Sequence, residues 1–144
     1  MLINEPVGKW IAKLYKHHDQ FVDDKLEAYN LNHSEGNVLF YLYKDGDGIS
    51  QKTLKENLAV DKATVSRSVS SLLKKGYLKK ESSPEDGRIN LIYLTPKSEK
   101  MEEIINDIYQ KWFSIFREEI SDEDAERVLE TLKKMYRIVK NDIK

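Results

Sequence analysis

The sequence predicts a mainly α-helical fold carrying one small β-hairpin, with a helix–turn–helix and the hairpin set between long helices at both ends. Three observations predict it. Apolar residues recur at three- and four-residue intervals over long stretches near both termini. Two short helical segments meet at a corner near residues 57–61, and two strand-like runs flank the polar stretch Ser83-Pro84-Glu85-Asp86-Gly87-Arg88. Charge is unevenly placed: residues 50–95 hold nine Lys or Arg against five Asp or Glu, a net of +4, while the rest holds fifteen against twenty, a net of −5. A basic centre between acidic-leaning arms suits a module that meets phosphate better than it suits an enzyme.

The chain has 144 residues, 34% of them charged and 40% hydrophobic. That length fits a single domain, residues 1–144, with a real core. No apolar run is long enough to span a bilayer, and the opening MLINEPVGKW lacks a basic-then-apolar signal design, so a cytoplasmic protein without a membrane partner is expected. Cysteine is absent, which excludes disulfides, thiolate metal sites and thiol-based redox sensing. The net charge of −1 does not argue against DNA, because distribution decides.

Over residues 6–29, Val7, Trp10, Ile11, Leu14, Phe21, Val22, Leu26 and Tyr29 form a helical stripe that also takes in His18. Pro6 suits a first helical position. A stripe this long exceeds what a small domain's core covers, so part of it is expected against another subunit; the plainer alternative is a helix lying across a monomer's core. Asn32 with Glu35 makes a capping box for a second helix, lined by Val38, Leu39, Leu42 and Tyr43 and stopped by Asp45-Gly46-Asp47-Gly48. Ser50 caps a short third helix through Leu58, with Leu54 and Leu58 inward.

Asp61 caps a fourth helix that runs to Lys75 and ends at Gly76, the left-handed residue expected there. At about 100° per residue, Val65, Val69, Leu72 and Leu73 share one face. The opposite face holds Ala63, Arg67, Ser70, Ser71 and Lys74, with Thr64 and Ser66 on its flanks. Small hydroxyl residues around one arginine let a helix sit deep in a major groove. Arg67 is the candidate reader of guanine edges, Ser66, Ser70 and Ser71 contact bases or phosphates, and Lys62 and Lys74 contact phosphates. The plainer reading is a solvated surface face. Serine is a mediocre helix former, so four serines among residues 66–71 point to a use beyond solubility.

Residues 77–82 and 89–94 are the two strands. The tip between them carries Asp86, Gly87 and Arg88, so that Asp86 can brace the Arg88 guanidinium and aim it outward, as a minor-groove probe requires. Alone, Asp-Gly-Arg is an ordinary turn; after a helix–turn–helix it reads as a wing. Thr95 caps and Pro96 opens a fifth helix marked by Met101, Ile104, Ile105, Ile108, Trp112, Ile115 and Phe116. Ser121 with Asp124 starts a sixth through Ala125, Val128, Leu129, Leu132, Met135, Tyr136 and Val139. The apolar surface shared by both chain ends suits a two-fold intertwined interface; core packing in a monomer is the alternative.

Residues 7–140 resemble the MarR (multiple antibiotic resistance regulator) family of winged helix-turn-helix transcription factors. The resemblance rests on Ser50-Gln51-Lys52-Thr53-Leu54, Val60-Asp61-Lys62-Ala63-Thr64-Val65-Ser66-Arg67, Leu72-Leu73-Lys74-Lys75-Gly76-Tyr77-Leu78, Asp86-Gly87-Arg88 and Leu94-Thr95. It implies a DNA-binding lobe over 32–95 and a helical dimerisation region over 6–29 and 96–142. It further implies a homodimer, leaning to repressor, that sets two recognition helices into successive major grooves of a pseudo-palindrome in double-stranded DNA. At Arg88 it implies a minor-groove contact supported by Asp86. Ser98 stands where the family often has glycine, and the cysteine of the thiol-sensing branch is missing. The resemblance also suggests a small amphipathic or aromatic effector in a cleft between the dimer helices and the DNA-binding lobe, where Trp10, Leu14, His17, Tyr41 and Trp112 are the residues to watch. Aromatic residues at helical spacing are more often plain core.

Enzyme chemistry is not indicated: the chain has no Gly-Lys-Ser/Thr phosphate loop, no His-Glu-x-x-His and no Gly-x-Ser-x-Gly. The histidines are His17, His18 and His33; adjacent ones point about 100° apart on a helix and do not chelate together. No metal and no cofactor is expected. The reading of a different class is a winged helix that binds protein rather than DNA, which would show no steep salt dependence on duplex DNA.

Overall fold

The computed structural model describes residues 5–142. The chain divides into two compact units, one reaching to Tyr109 and one from Gln110 onward. The elements are α1 (Val7–Leu26), a 3₁₀ turn (Glu27–Tyr29), α2 (His33–Asp45), β1 (Ile49–Ser50), α3 (Gln51–Asn57), α4 (Lys62–Lys74), β2 (Leu78–Ser82), β3 (Asn90–Leu94), α5 (Pro96–Ser114) and α6 (Asp122–Asp142).

The core of the first unit is built from one stripe per element: Val22 and Leu26 of α1, Val38, Leu39 and Leu42 of α2, Leu54 of α3, Val65, Val69 and Leu72 of α4, Leu78 and Ile92 of the strands, and Met101, Ile105 and Ile108 of α5. The N-terminal stripe therefore splits. Its C-terminal end is buried, while Val7, Trp10, Ile11 and Leu14 stand exposed. The first helix was expected to reach Tyr29; it stops at Leu26, where the chain tightens into the 3₁₀ turn and Asn30 takes a left-handed φ of 57°. Asparagine tolerates that conformation through its short polar side chain. Helix α2 then lies close on α1: a Cβ on Gly36 would stand 2.6 Å from Leu26 Cδ1, so a side chain here would require Leu26 to move.

The caps fall where the sequence places them. Asn32 Oδ1 accepts from Glu35 N at 2.8 Å and Glu35 Oε1 accepts from Asn32 N at 3.0 Å, closing the capping box. Helix α4 ends with Tyr77 N donating to Leu72 O and Gly76 N to Leu73 O, around a Gly76 φ of 82°. These two bonds are a Schellman motif, and they turn the chain directly into β2. Ser98 does more than fill a permissive position: fully buried, its hydroxyl accepts from Thr95 N at 2.8 Å and lies 2.9 Å from Thr95 O, which completes the N-terminal cap of α5.

Three strands pair antiparallel in the order β1-β3-β2. The third strand, β1, is absent from the sequence reading. Its two residues, Ile49 and Ser50, pair with Ile92 and Leu91, and two residues carry no periodic signal. In the second unit, α6 opens with Ser121 Oγ accepting from Asp124 N at 3.1 Å, and Val128, Leu129, Leu132, Met135, Tyr136 and Val139 are all exposed. Among the described residues, no helix is long and apolar enough to cross a membrane.

Candidate nucleic-acid interface

Helix α4 presents its polar face from a well-held start. Asp61 Oδ1 accepts from Thr64 N and Asp61 Oδ2 from Thr64 Oγ1, both at 2.8 Å; Arg67 Nη2 in turn donates to Thr64 Oγ1 at 3.1 Å. The Thr64 amide, then its hydroxyl, hold the Asp61 carboxyl below its ordinary range. An aspartate, a threonine and an arginine within two turns thus form one chain that orients the guanidinium at the surface.

Lys62, Ala63, Arg67, Ser70 and Lys74 are exposed, and Thr64 and Ser66 are half-buried, with Ser66 Oγ accepting from Gln51 Nε2 of α3 at 3.3 Å. Ser71 requires a correction. It was expected on the open face beside Arg67, but its hydroxyl turns inward and donates to Glu35 Oε2 at 2.8 Å. No local pattern in the sequence signals this contact. Glu35 announces itself as a capping residue, and its second oxygen reaches Ser71 only because α2 and α4 pack together. Ser68 is buried as well, so half of the serine cluster faces in.

The wing is ordered by its own aspartate. Asp86 Oδ1 accepts from Arg88 N at 3.0 Å and from Arg88 Nε at 3.1 Å, and Asp86 Oδ2 accepts from Arg88 Nη2 at 3.3 Å. The guanidinium first, then the Arg88 amide, depress the Asp86 carboxyl. Ser83 Oγ accepts from the amides of Glu85 and Asp86, and Ser83 N donates to Ile89 O, which closes the tip. The Arg88 side chain is 91% exposed. A Cβ on Gly87 would meet nothing within 4 Å, so the tip is open to solvent at this position.

Four of the residues expected at an effector cleft, Trp10, Leu14, His17 and Tyr41, belong to the first unit. Trp10, Leu14 and His17 stand exposed on α1. Tyr41 lines a cavity of about 300 Å³ walled by Phe40, Tyr15, His18, Lys44 and Leu58. Trp112 belongs to the second unit, edge-on to Phe116 with ring centres 5.3 Å apart. A larger cavity of about 620 Å³ lies between the start of α2 and α4, lined by Asp19, His33, Glu35, Thr64 and Arg67 among others. His33 serves to pin α2 to α1, its amide donating to Asp23 Oδ1 at 2.6 Å and its Nδ1 lying 2.9 Å from the same oxygen. Among the described residues, no three His, Cys, Asp or Glu side chains form a metal-binding group.

A capped helix with an oriented arginine, followed by a hairpin with a braced one, is a winged helix-turn-helix. The MarR family pattern matches residues 29–89, from the end of the 3₁₀ turn after α1 to the wing. The chain is 32% identical over 104 residues to the uncharacterized HTH-type transcriptional regulator YwoH of Bacillus subtilis (strain 168), covering 72% of this chain and 74% of that one. Its fold matches a MarR transcriptional regulator from Methanosarcina mazei Go1 with a TM-score of 0.82 and 28% identity, over 91% of this chain and 94% of that one. It also matches the MepR protein of S. aureus, solved as a DNA complex, with a TM-score of 0.80 and 24% identity over 93% and 98% of the two chains. The chain belongs to the MarR family of winged helix-turn-helix, DNA-binding transcriptional regulators, which are not enzymes.

Proposed function

We propose that the protein is a cytoplasmic repressor that binds a pseudo-palindromic operator as a homodimer. Residues 32–95 form the DNA-binding lobe of a single domain spanning 1–144, and residues 6–29 and 96–142 form its dimerisation region. The observation that carries this reading is the pair of exposed, aspartate-oriented arginines, Arg67 on α4 and Arg88 on the wing. Arg67, with Lys62, Ala63, Thr64, Ser66, Ser70 and Lys74 around it, addresses the major groove, and Asp86, Gly87 and Arg88 address the adjacent minor groove. The uncovered apolar stripe of α6 supports a second copy, since a contiguous exposed stripe of this kind marks an interface. The fold shared with MepR, a protein solved on DNA, supports duplex DNA as the partner.

Two recognition helices must stand about one DNA turn, roughly 34 Å, apart to fill both half-sites. An effector that favours a dimer of another separation releases DNA, to the extent of its differential affinity for the two forms. The cavity lined by Phe40, Tyr41 and Lys44 suits a small aromatic or amphipathic molecule. Selection of bound duplexes from a random pool tests the reading. The expected product is a two-fold symmetric site with half-sites about a turn apart. A single asymmetric half-site overturns the dimer, and no enrichment overturns sequence-specific binding. A reporter driven through the selected site should fall when the protein is supplied; a rise overturns repression.

A further inference from the structure

Glu35 is 2% exposed, yet both of its oxygens are engaged with different elements. Oε1 accepts from Asn32 N at the start of α2, at 3.0 Å. Oε2 accepts from Ser71 Oγ at 2.8 Å and from Lys75 Nζ at 2.9 Å, and Lys75 Nζ donates also to Asn30 O at 2.7 Å. A buried carboxylate that lost these donors would be left uncompensated, so the contacts hold as a set. A buried network of this kind fixes geometry more than it adds stability, because its attraction is offset by desolvation.

The geometry matters because of where the donors sit. Arg67, Ser71 and Lys75 are spaced at i, i+4 and i+8, each about 40° further round the axis than the last, so they form one shallow row along α4. Glu35 grips the C-terminal two members of that row. Any rotation of α4 that swung Arg67 would break the bonds at Ser71 and Lys75.

We propose that Glu35 is a positioning residue for DNA readout: through Ser71 and Lys75 it sets the rotation of α4 about its own axis and so the direction in which Arg67 leaves the lobe. The proposal rests on the reading of Arg67 as a base reader, and it assigns Ser71 an inward role in place of a DNA contact.

The test compares Ser71→Ala, Glu35→Gln, Arg67→Ala and the Arg67→Ala/Ser71→Ala double variant. Affinity is measured for the duplex selected by the wild-type protein and for a scrambled duplex at the same salt, with circular dichroism confirming the folded state. Alanine is the better helix former, so Ser71→Ala keeps α4 intact. Ser71→Ala should weaken binding to the selected duplex about tenfold and leave the scrambled duplex within about twofold, because nonspecific binding is phosphate electrostatics. Glu35→Gln keeps an acceptor for Ser71 but not the charge for Lys75, and should lower the ratio of the two affinities less, by about two- to fivefold. In the Arg67→Ala background, Ser71→Ala should have no further effect on that ratio, since it acts through the missing side chain. An effect of equal size in both backgrounds means that Ser71 touches DNA itself and overturns the proposal. Arg67→Ala lowering the ratio while Ser71→Ala does not also overturns it, and leaves the DNA reading standing. Arg67→Ala leaving the ratio unchanged overturns the reading of Arg67, and the positioning role with it.

Discussion

Asp86 grips Arg88 at three nitrogens, its amide at 3.0 Å, Nε at 3.1 Å and Nη2 at 3.3 Å, although the two residues are separated only by Gly87. The carboxylate takes one edge of the guanidinium, which directs the rest of its donors away from the lobe. Arg88→Ala should therefore weaken binding to the selected duplex by roughly ten- to a hundredfold, with an unchanged circular dichroism spectrum. Asp86→Asn should cost less, since it loosens the probe without removing it. Fluorescence anisotropy decides; wild-type affinity in Arg88→Ala would remove the wing from the interface.

The same contact predicts an acid titration. Asp86 is held below its ordinary value of 3.8, mainly by the Arg88 side chain. A carboxyl depressed in the folded state favours folding above its unfolded value, and that contribution disappears as pH falls through the lowered folded value. Near neutrality nothing changes; the wing contact is lost only in acid. Carboxyl-carbon NMR should show Asp86 titrating below 3.8 in the wild type and moving up toward it in Arg88→Ala. An Asp86 midpoint that is the same in both proteins would mean that the pair does not form in solution.

Salt should separate the phosphate contacts from the base contacts. The logarithm of affinity is expected to fall linearly with the logarithm of salt concentration, and Lys62→Ala or Lys74→Ala should each reduce the slope by about one while leaving the selected sequence unchanged. Titrations on the selected and scrambled duplexes give both slopes. A slope near zero for the wild type would argue for a protein partner.

For the apolar stripe of α6, Leu132→Asp is the direct probe, because Leu132 lies exposed between Val128, Leu129, Met135 and Tyr136. A charge buried there without a partner should shift the protein toward monomer in sedimentation velocity and weaken operator binding, while the helical content of the lobe stays intact. A monomeric wild type, or an unaffected dimer in Leu132→Asp, would place the interface elsewhere.

Much of the lobe was legible because its signals are local. Asn32 with Glu35, Ser50, Asp61 and Gly76 act within four residues of themselves, and each appears in the structure as the cap or stop its chemistry implies. The Asp86–Arg88 brace is also local, spanning two residues. The cleft expected around Trp10, Leu14, His17, Tyr41 and Trp112 has no such local signal. Trp10, Leu14 and His17 share a helix face, but a face says nothing about what is packed against it, and here they are exposed.

By itself the sequence determined the order of the six helices and the hairpin, the caps at Asn32, Ser50, Asp61 and Gly76, and the polar face of α4 with Arg67 on it, because helix periodicity, capping and turn chemistry act over a few residues. Only the tertiary structure decided the rest. It added the two-residue strand β1 beside β3, turned Ser71 inward, and gave Glu35 a second task across a gap of 36 residues in sequence. Each of these is a pairing between elements remote along the chain. Such pairings arise when the apolar stripes bury one another and bring polar groups within hydrogen-bond range, and no local pattern records which groups will meet.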